Sequence, residues 1–466
     1  MDRQASGVPP SDTAREPARR AVLPSAHRAA LWAVGIVLTI GFAGHAHWRT
    51  AHATTPHDLV RVNDLGRWLV MLPRFLHDRA DYVDDRFPNP PLVMLLLAPL
   101  TAIPPPAAEA VWVCAKLALA ATSLAAALGV VQAGGGAIDP RTVWLIVAAW
   151  IWPVIGDVQE GQTNLLMLLP LVASLRIAQR DGARSQAAAG LLLGLAMAIK
   201  VTPVAFLPYW AWRRRWTLVI AAMGGVVLWL VVLPGLVVGF EQNGRWLRQW
   251  TEIMVVPYAV RGEATYSRSQ ALGSIVTRLL RHVPAIVLSS RGGSRAYYVN
   301  LVDLSPALVN GLIRALLVGI AAAGLAWARR PLPTLRTPRY AMECGALAVF
   351  MLWASERTWI EHYVTLLPAL CAVAMVASAP DQSARSRRGA WVALTVAALL
   401  LASTSDLARA FGPEGTRWTK SLAVGFWASA GLLAVILSAR GGGQRNAGSR
   451  AGAPPSRPSV ARPTAS

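Results

Sequence analysis

Apolar runs approaching 20 residues recur along this chain, and its arginines gather in short clusters between them. About 20 apolar residues are what an α-helix needs to cross the hydrocarbon core of a bilayer. Of the 466 residues, 54% are hydrophobic and only 15% are charged. The pattern predicts an all-α polytopic membrane protein. The run at 31–46 follows a long polar arm and has no small-residue cleavage site after it, so it reads as a retained first span rather than a secretory signal. The net charge of +21 does not imply a nucleic-acid partner. Arginine clusters between apolar runs are the positive-inside signal, and they also hold anionic lipid headgroups. Cys114, Cys344 and Cys371 all lie in apolar segments and read as small core residues, not as a disulfide or metal set.

The clusters predict a topology. Residues 1–27 and 441–466 are rich in Pro, Ser, Ala, Gly and Arg; both read as disordered basic tails on the cytoplasmic side, so the span count is even. Arg176, Arg180 and Arg184 mark one cytoplasmic loop and Arg213, Arg214 and Arg215 the next. Arg329, Arg330, Arg336 and Arg339 mark a third, and Arg385, Arg387 and Arg388 a fourth. Fewer than 30 residues separate Arg184 from Arg213, too few for two full spans and wrong in parity for one. Two short helices turning over at Lys200–Pro203 fit, because Pro203 removes a backbone donor and biases Thr202 away from helix. The resulting count is about 12 spans, near 29–46, 107–131, 142–155, 163–176, 186–199, 203–212, 216–240, 304–328, 340–354, 362–379, 390–404 and 421–439. They form one transmembrane domain over 28–440, with two long outer-face loops at 47–106 and 241–303. The run at 90–104 is short for a span and is expected to lie at the outer interface.

Lys200 is the costly residue in this scheme. It is the only charge in AGLLLGLAMAIKVTPVAFLPYWAW (189–212), and the chain has only three lysines among its 45 basic residues. A lysine in hydrocarbon costs roughly 2.5–3.5 kcal/mol on insertion scales, so an anionic partner is expected. The topology gathers other polar residues on the same outer side: Asp58, Asp64, Asp84, Asp85, Arg86, Gln162, Asn164, Gln270, Arg278, Arg357, Glu361 and His362. A carboxylate there can act as general base, and a lysine with nearby Arg and Gln can hold a phosphate. A site with both takes an activated lipid phosphate and transfers its head group. Each residue also has a structural reading. Asp58 can cap a helix, Asp64 can pair with Arg61 or Arg67, and Gln162 and Asn164 can satisfy a helix break. Lys200 can pair with Asp157 or Glu160, and Gly190 and Gly194 can serve helix packing.

The segment 161–216 resembles glycosyltransferase family 87, the polyprenyl-phosphate-mannose-dependent enzymes with a GT-C type membrane fold. It carries a GQ-x-N turn (GQTN, 161–164), then AG-x-x-x-G-x-A-x-x-x-K-x-x-P with Gly190, Gly194, Lys200 and Pro203, then a basic loop. The likeness extends to DLVRVNDLGR (58–67), PPLVMLLLAPLTAIP (90–104) and TWIEHYVTLLPAL (358–370), most of 30–375. There are departures: Asn89 replaces a Tyr before the double proline, SQAL (269–272) replaces an Asn-Gln-Ser-Leu run, and Glu361 replaces a histidine.

The resemblance implies an inverting transfer of a hexose, mannose in this family, from a polyprenyl-phosphate sugar to a lipid or glycan acceptor. The general base would be Asp58, by its local D-L-x-x-V pattern, with Asp64 the second choice by spacing. Donor phosphate and lipid would be held by Lys200, Gln162, Asn164, Gln270, Arg278, His362 and Arg357. No metal or cofactor is implied, since the lipid-linked donor is itself a substrate. The enzyme would sit in the cytoplasmic (inner) membrane, among its lipids, with both termini cytoplasmic and the active site on the outer face. Two rival readings use the same features: a transporter or flippase of lipid-linked sugars, and a ligase taking a lipid-diphosphate donor.

Overall fold

The computed structural model describes residues 25–53, 55–83, 86–261, 268–290, 293–405 and 414–439. Residues 1–24 and 440–466 of the tails, and Asp84 and Asp85, lie outside the described residues. Helices dominate what is described. Six are long and apolar enough to cross a membrane: Ala29–Ala51, Pro105–Ala133, Pro140–Gln159, Trp216–Val238, Pro306–Trp327 and Ile360–Ser378. A seventh candidate is the pair Gly415–Ser421 and Val424–Ser438, bent by 48°. Shorter apolar helices occupy Asn164–Ala178 and Ala183–Ile199. The expected count of 12 therefore exceeds what length and composition identify, because several helices, such as Phe206–Trp212, are too short to qualify. The all-α expectation also needs one correction. Within 241–303, strands Ile286–Ser290 and Gly293–Tyr297 pair antiparallel, with Ile286 opposite Tyr297. β-branched Ile286 and Val287 face Tyr297 and Ala296 there, side chains that suit a pleated surface.

The arginine clusters meet at one end of the bundle. Glu343, on Pro338–Ala354, takes Arg213 at 2.5 Å on one oxygen and Arg339 at 3.1 Å on the other. The Tyr209 hydroxyl donates to the same carboxylate at 2.9 Å. Arg336 donates to the Gln179 carbonyl at 3.1 Å, and Gln179 donates to Leu335 O at 3.2 Å. Three clusters far apart in sequence thus share one face, as a common loop side requires. From that face the Ala183–Ile199 helix runs about 25 Å at 1.5 Å per residue before it stops. The stop is the expected break: Lys200 is extended (φ −144°, ψ 139°), and a 3-10 turn follows at Thr202–Ala205. The Phe206–Trp212 helix then returns to Arg213. Lys200 is the tip of a hairpin whose two feet stand among the arginines.

Two glycines hold this hairpin in place. A Cβ on Gly190 would lie 2.4 Å from Leu218 O, and one on Gly194 2.6 Å from Ala222 O. The Ala183–Ile199 helix therefore packs backbone to backbone on Trp216–Val227. Gly194→Leu should force the helices apart at a cost of roughly 1–3 kcal/mol or more, the usual range for overpacking. Thermal unfolding in detergent checks this; an unchanged midpoint would mean the contact is dispensable.

The two long segments between spans also pack together. The amphipathic helix Phe240–Trp250 buries Trp246 and Trp250, whose indole N–H groups donate to Ala80 O and Pro88 O, both at 2.9 Å. Tyr82 N–H donates to Gln249 Oε1 at 3.1 Å. The helix Pro91–Leu97 buries Leu92, Val93, Met94 and Leu97 beside them. This lid of loops closes one side of the cavity described next.

Candidate active site

A cavity of about 490 Å³ opens at the hairpin tip. Its polar wall carries Asp64, Arg67, Gln162, Asn164, Lys200, Glu356, Arg357 and His362; Trp250, Tyr258 and Trp359 add aromatic surface. Its apolar wall includes Met167, Ile199, Val201, Val204, Met254 and Val255.

Local chain geometry sets each polar group. Asn63 caps the helix Asp64–Leu76 by accepting from Gly66 N–H at 2.8 Å, which puts Asp64 in the first turn. Gly161 adopts φ +70°, and a Cβ there would come 2.6 Å from Leu65 N, so only glycine lets this turn lie against the Asp64 helix. Asp64 N–H donates to Glu160 O at 3.0 Å and locks the two segments together. Gln162, next in the turn, donates its amide to Asp64, and Arg67 pairs with the same carboxylate from one turn along. Burial lifts the Asp64 carboxyl above its ordinary range. Glu160 adds to that lift, while Arg67, Lys200 and the Gln162 bond oppose it. Asn164 starts the Asn164–Ala178 helix, and pairing of that helix with Ala183–Ile199 brings Asn164 to Lys200.

Among the described residues, Lys200 does not meet a carboxylate. Its ammonium donates to Asn164 Oδ1 at 2.6 Å. Asp157, one of its expected partners, is held instead by Lys116, whose Nζ lies 3.1 Å from Asp157 Oδ2 with both side chains fully buried. Asp157 Oδ1 accepts from Asn164 Nδ2 at 2.9 Å. The order is therefore Lys116, Asp157, Asn164, Lys200. On its other side Lys200 lies 3.2 Å from His362 Nε2. The Trp359 N–H donates to His362 Nδ1 at 2.8 Å, so the neutral ring carries its proton on Nε2. Two donor groups thus converge on one point of the cavity, and an anionic oxygen satisfies both. Arg357 stacks over the Tyr258 ring at 4.3 Å and adds a further cation on this wall.

The expected site residues divide accordingly. Asp64, Gln162, Asn164, Lys200, Arg357 and His362 come together on the cavity. Asp58, expected as base, does not line it. It closes a capping box, accepting from the Thr55 backbone at 3.2 Å and the Thr55 hydroxyl at 2.7 Å at the start of Pro56–Val62. Gln270 is also placed elsewhere. It is fully buried; its side-chain Oε1 accepts from Gly425 N–H at 3.1 Å while its main-chain N–H donates to Thr358 O at 2.6 Å, which ties three segments together. Arg278 points away as well, donating to Ser269 O at 2.9 Å. Sequence reasoning missed Lys116 and the aromatic pair Trp250 and Tyr258. Lys116 left the same signal as Lys200: a lone lysine inside an apolar run.

A helical bundle with donors for an anion and a carboxylate on one cavity has the groups that a membrane group-transfer enzyme requires. The sequence pattern of glycosyltransferase family 87 matches residues 87–356, more than half of the chain. The chain belongs to that family. It is 29% identical over 334 residues to a polyprenol-phosphate-mannose-dependent α-(1-2)-phosphatidylinositol mannoside mannosyltransferase of Mycolicibacterium smegmatis, covering 68% of this chain and 67% of that one. A protein of the same name from Mycobacterium tuberculosis is 24% identical over 367 residues, covering 75% of this chain and 77% of its own length. Among solved structures, ArnT from Cupriavidus metallidurans bound to undecaprenyl phosphate aligns with 86% of this chain and 76% of its own, at 14% identity and a TM-score of 0.36. That likeness is too weak to bear on residue positions.

Proposed function

We propose that this chain transfers mannose from a polyprenyl-phosphate sugar to a lipid or glycan acceptor at the outer face of the cytoplasmic membrane. The observation that carries the reading is the Lys200 ammonium, which rests on a neutral amide, beside the His362 N–H and across a cavity that also holds Asp64. The donor phosphate binds at Lys200 and His362. Its prenyl chain leaves past Val201 and Val204, apolar side chains 42% and 44% exposed beside the lysine. Asp64, not Asp58, takes the proton from the acceptor hydroxyl as that oxygen attacks the anomeric carbon. The phosphate departs from the opposite face, so the configuration inverts. Negative charge grows on the leaving phosphate, and Lys200 and Arg357 stabilise it there. The phosphate leaves without acid assistance, and no metal or cofactor is invoked.

The finer topology belongs to this proposal: a GT-C type bundle of about 12 spans over residues 28–440, with the arginine face cytoplasmic and the Lys200 tip outside. The donor sugar and acceptor class follow the named relatives, so a phosphatidylinositol mannoside is the first acceptor to try. Membranes containing the protein should move label from radiolabelled polyprenyl-phosphate mannose, but not from a nucleotide sugar when lipid-donor synthesis is blocked. Label moving directly from the nucleotide sugar would overturn the reading.

A further inference from the structure

We propose that Lys116 is a positioning residue for the donor: by occupying Asp157, it keeps that carboxylate from neutralising Lys200. The proposal rests on the reading of Lys200 as the donor-phosphate group. Lys116 lies on Pro105–Ala133 and Asp157 on Pro140–Gln159, and neither side chain has any solvent exposure. Lys116 also donates to the Asp157 main-chain carbonyl, so one ammonium fixes both ends of that residue.

The polarity of the chain of contacts is settled by chemistry. A carboxylate only accepts and an ammonium only donates. Asn164 lies between one of each, at 2.9 Å from Asp157 Oδ1 and 2.6 Å from Lys200 Nζ. Its NH₂ must therefore face Asp157 and its oxygen must face Lys200. The amide cannot turn round without placing donor on donor and acceptor on acceptor. Asp157 thus aims Asn164, and Asn164 aims the ammonium.

Charge completes the argument. Within this contact chain Lys116, Asp157 and Lys200 sum to one positive charge, borne at the cavity end by Lys200, while Glu109 and Glu361 act on Lys116 from outside the chain. The other charged or titratable groups acting on Lys200 are Asp64 and Glu361, with His362 in contact. Without Lys116 the same carboxylate would have Lys200 as its nearest cation. The cluster would then sum to zero, and a donor phosphate would meet a neutralised lysine.

The test uses the full chain in membranes, with donor KM and kcat measured separately. Lys116→Met should raise donor KM by about tenfold or more, since nearby charges at protein interiors interact on that scale, with a smaller effect on kcat. Lys116→Met/Asp157→Asn removes both charges and keeps an amide oxygen for Asn164. It should bring donor KM back towards wild type. Equal KM in wild type and a folded Lys116→Met would overturn the proposal, as would a double variant as impaired as the single one. Should Lys116→Met not fold, Lys116→Gln retains a hydrogen-bond donor for Asp157 without the charge and should show the same rise. Asn164→Asp puts a carboxylate on Lys200 while the buried pair stays intact, and it too should raise donor KM; a wild-type value there overturns the proposal. If wild-type protein does not use the polyprenyl-phosphate donor at all, the reading of the site fails instead, whatever Lys116 does.

Discussion

Asp64→Asn should lower transfer from the polyprenyl-phosphate donor by about 10²–10⁴-fold, the contribution of a positioned general base, while Asp58→Asn retains transfer. The two aspartates are six positions apart and close in chemistry, and what separates them is placement. Asp64 faces the cavity with its carboxylate steadied by Gln162 and Arg67. Asp58 caps its own short helix through Thr55. Asparagine at 64 keeps one oxygen for Arg67 and turns an NH₂ towards Gln162, whose amide can flip to accept it, so protein level and thermal midpoint should move little. A pH profile adds an independent check. A base must be ionised to act, so activity falls as pH drops through its pKa. Burial raises Asp64, so the acid limb should lie above the ordinary aspartate value of about 3.9. Full activity in Asp64→Asn, or an acid limb below that value, would remove Asp64 from the reaction and leave Glu356 as the remaining carboxylate on the cavity.

Lys200→Met should cost about 10²–10³-fold in kcat/KM for the lipid donor. A charge-assisted hydrogen bond is worth about 1.5–3 kcal/mol, and the interaction strengthens as the phosphate leaves. Lys200→Arg keeps the charge on a planar fork instead of a point, so it should recover part of the activity. Methionine matches the apolar surroundings, and the variant should insert and fold. A folded Lys200→Met with unchanged donor KM and kcat would make the lysine purely structural.

The hairpin was legible from sequence because arginine spacing and Pro203 both act locally. The contents of the cavity were less so, since they arrive from segments near residues 64, 162, 200 and 362. Choosing between Asp58 and Asp64 by a local pattern favoured the residue that does not line the cavity. Yet Thr55-x-x-Asp58 is a capping signature, and it marks Asp58 as a helix-start residue. Gln270 and Arg278 carry polar groups that suit a phosphate, but nothing local says that they are consumed by Lys420, Gly425 and Ser269. The question of what offsets Lys200 had a sequence-visible half. Asp157 was in view as a partner, and Lys116, which claims it, stood in the neighbouring span. Only the packing of those two spans shows which lysine wins.

The buried pair also bears on how the chain enters the bilayer. Lys116 and Asp157 sit on consecutive spans joined by residues 134–139. Each charge alone in lipid costs roughly 2.5–3.5 kcal/mol, and together they cancel much of that. The insertion machinery therefore receives two helices that are poor clients singly and acceptable as a unit. Pro105–Ala133 should wait at the lateral gate until Pro140–Gln159 emerges from the ribosome, so that the two are released into lipid as one pair.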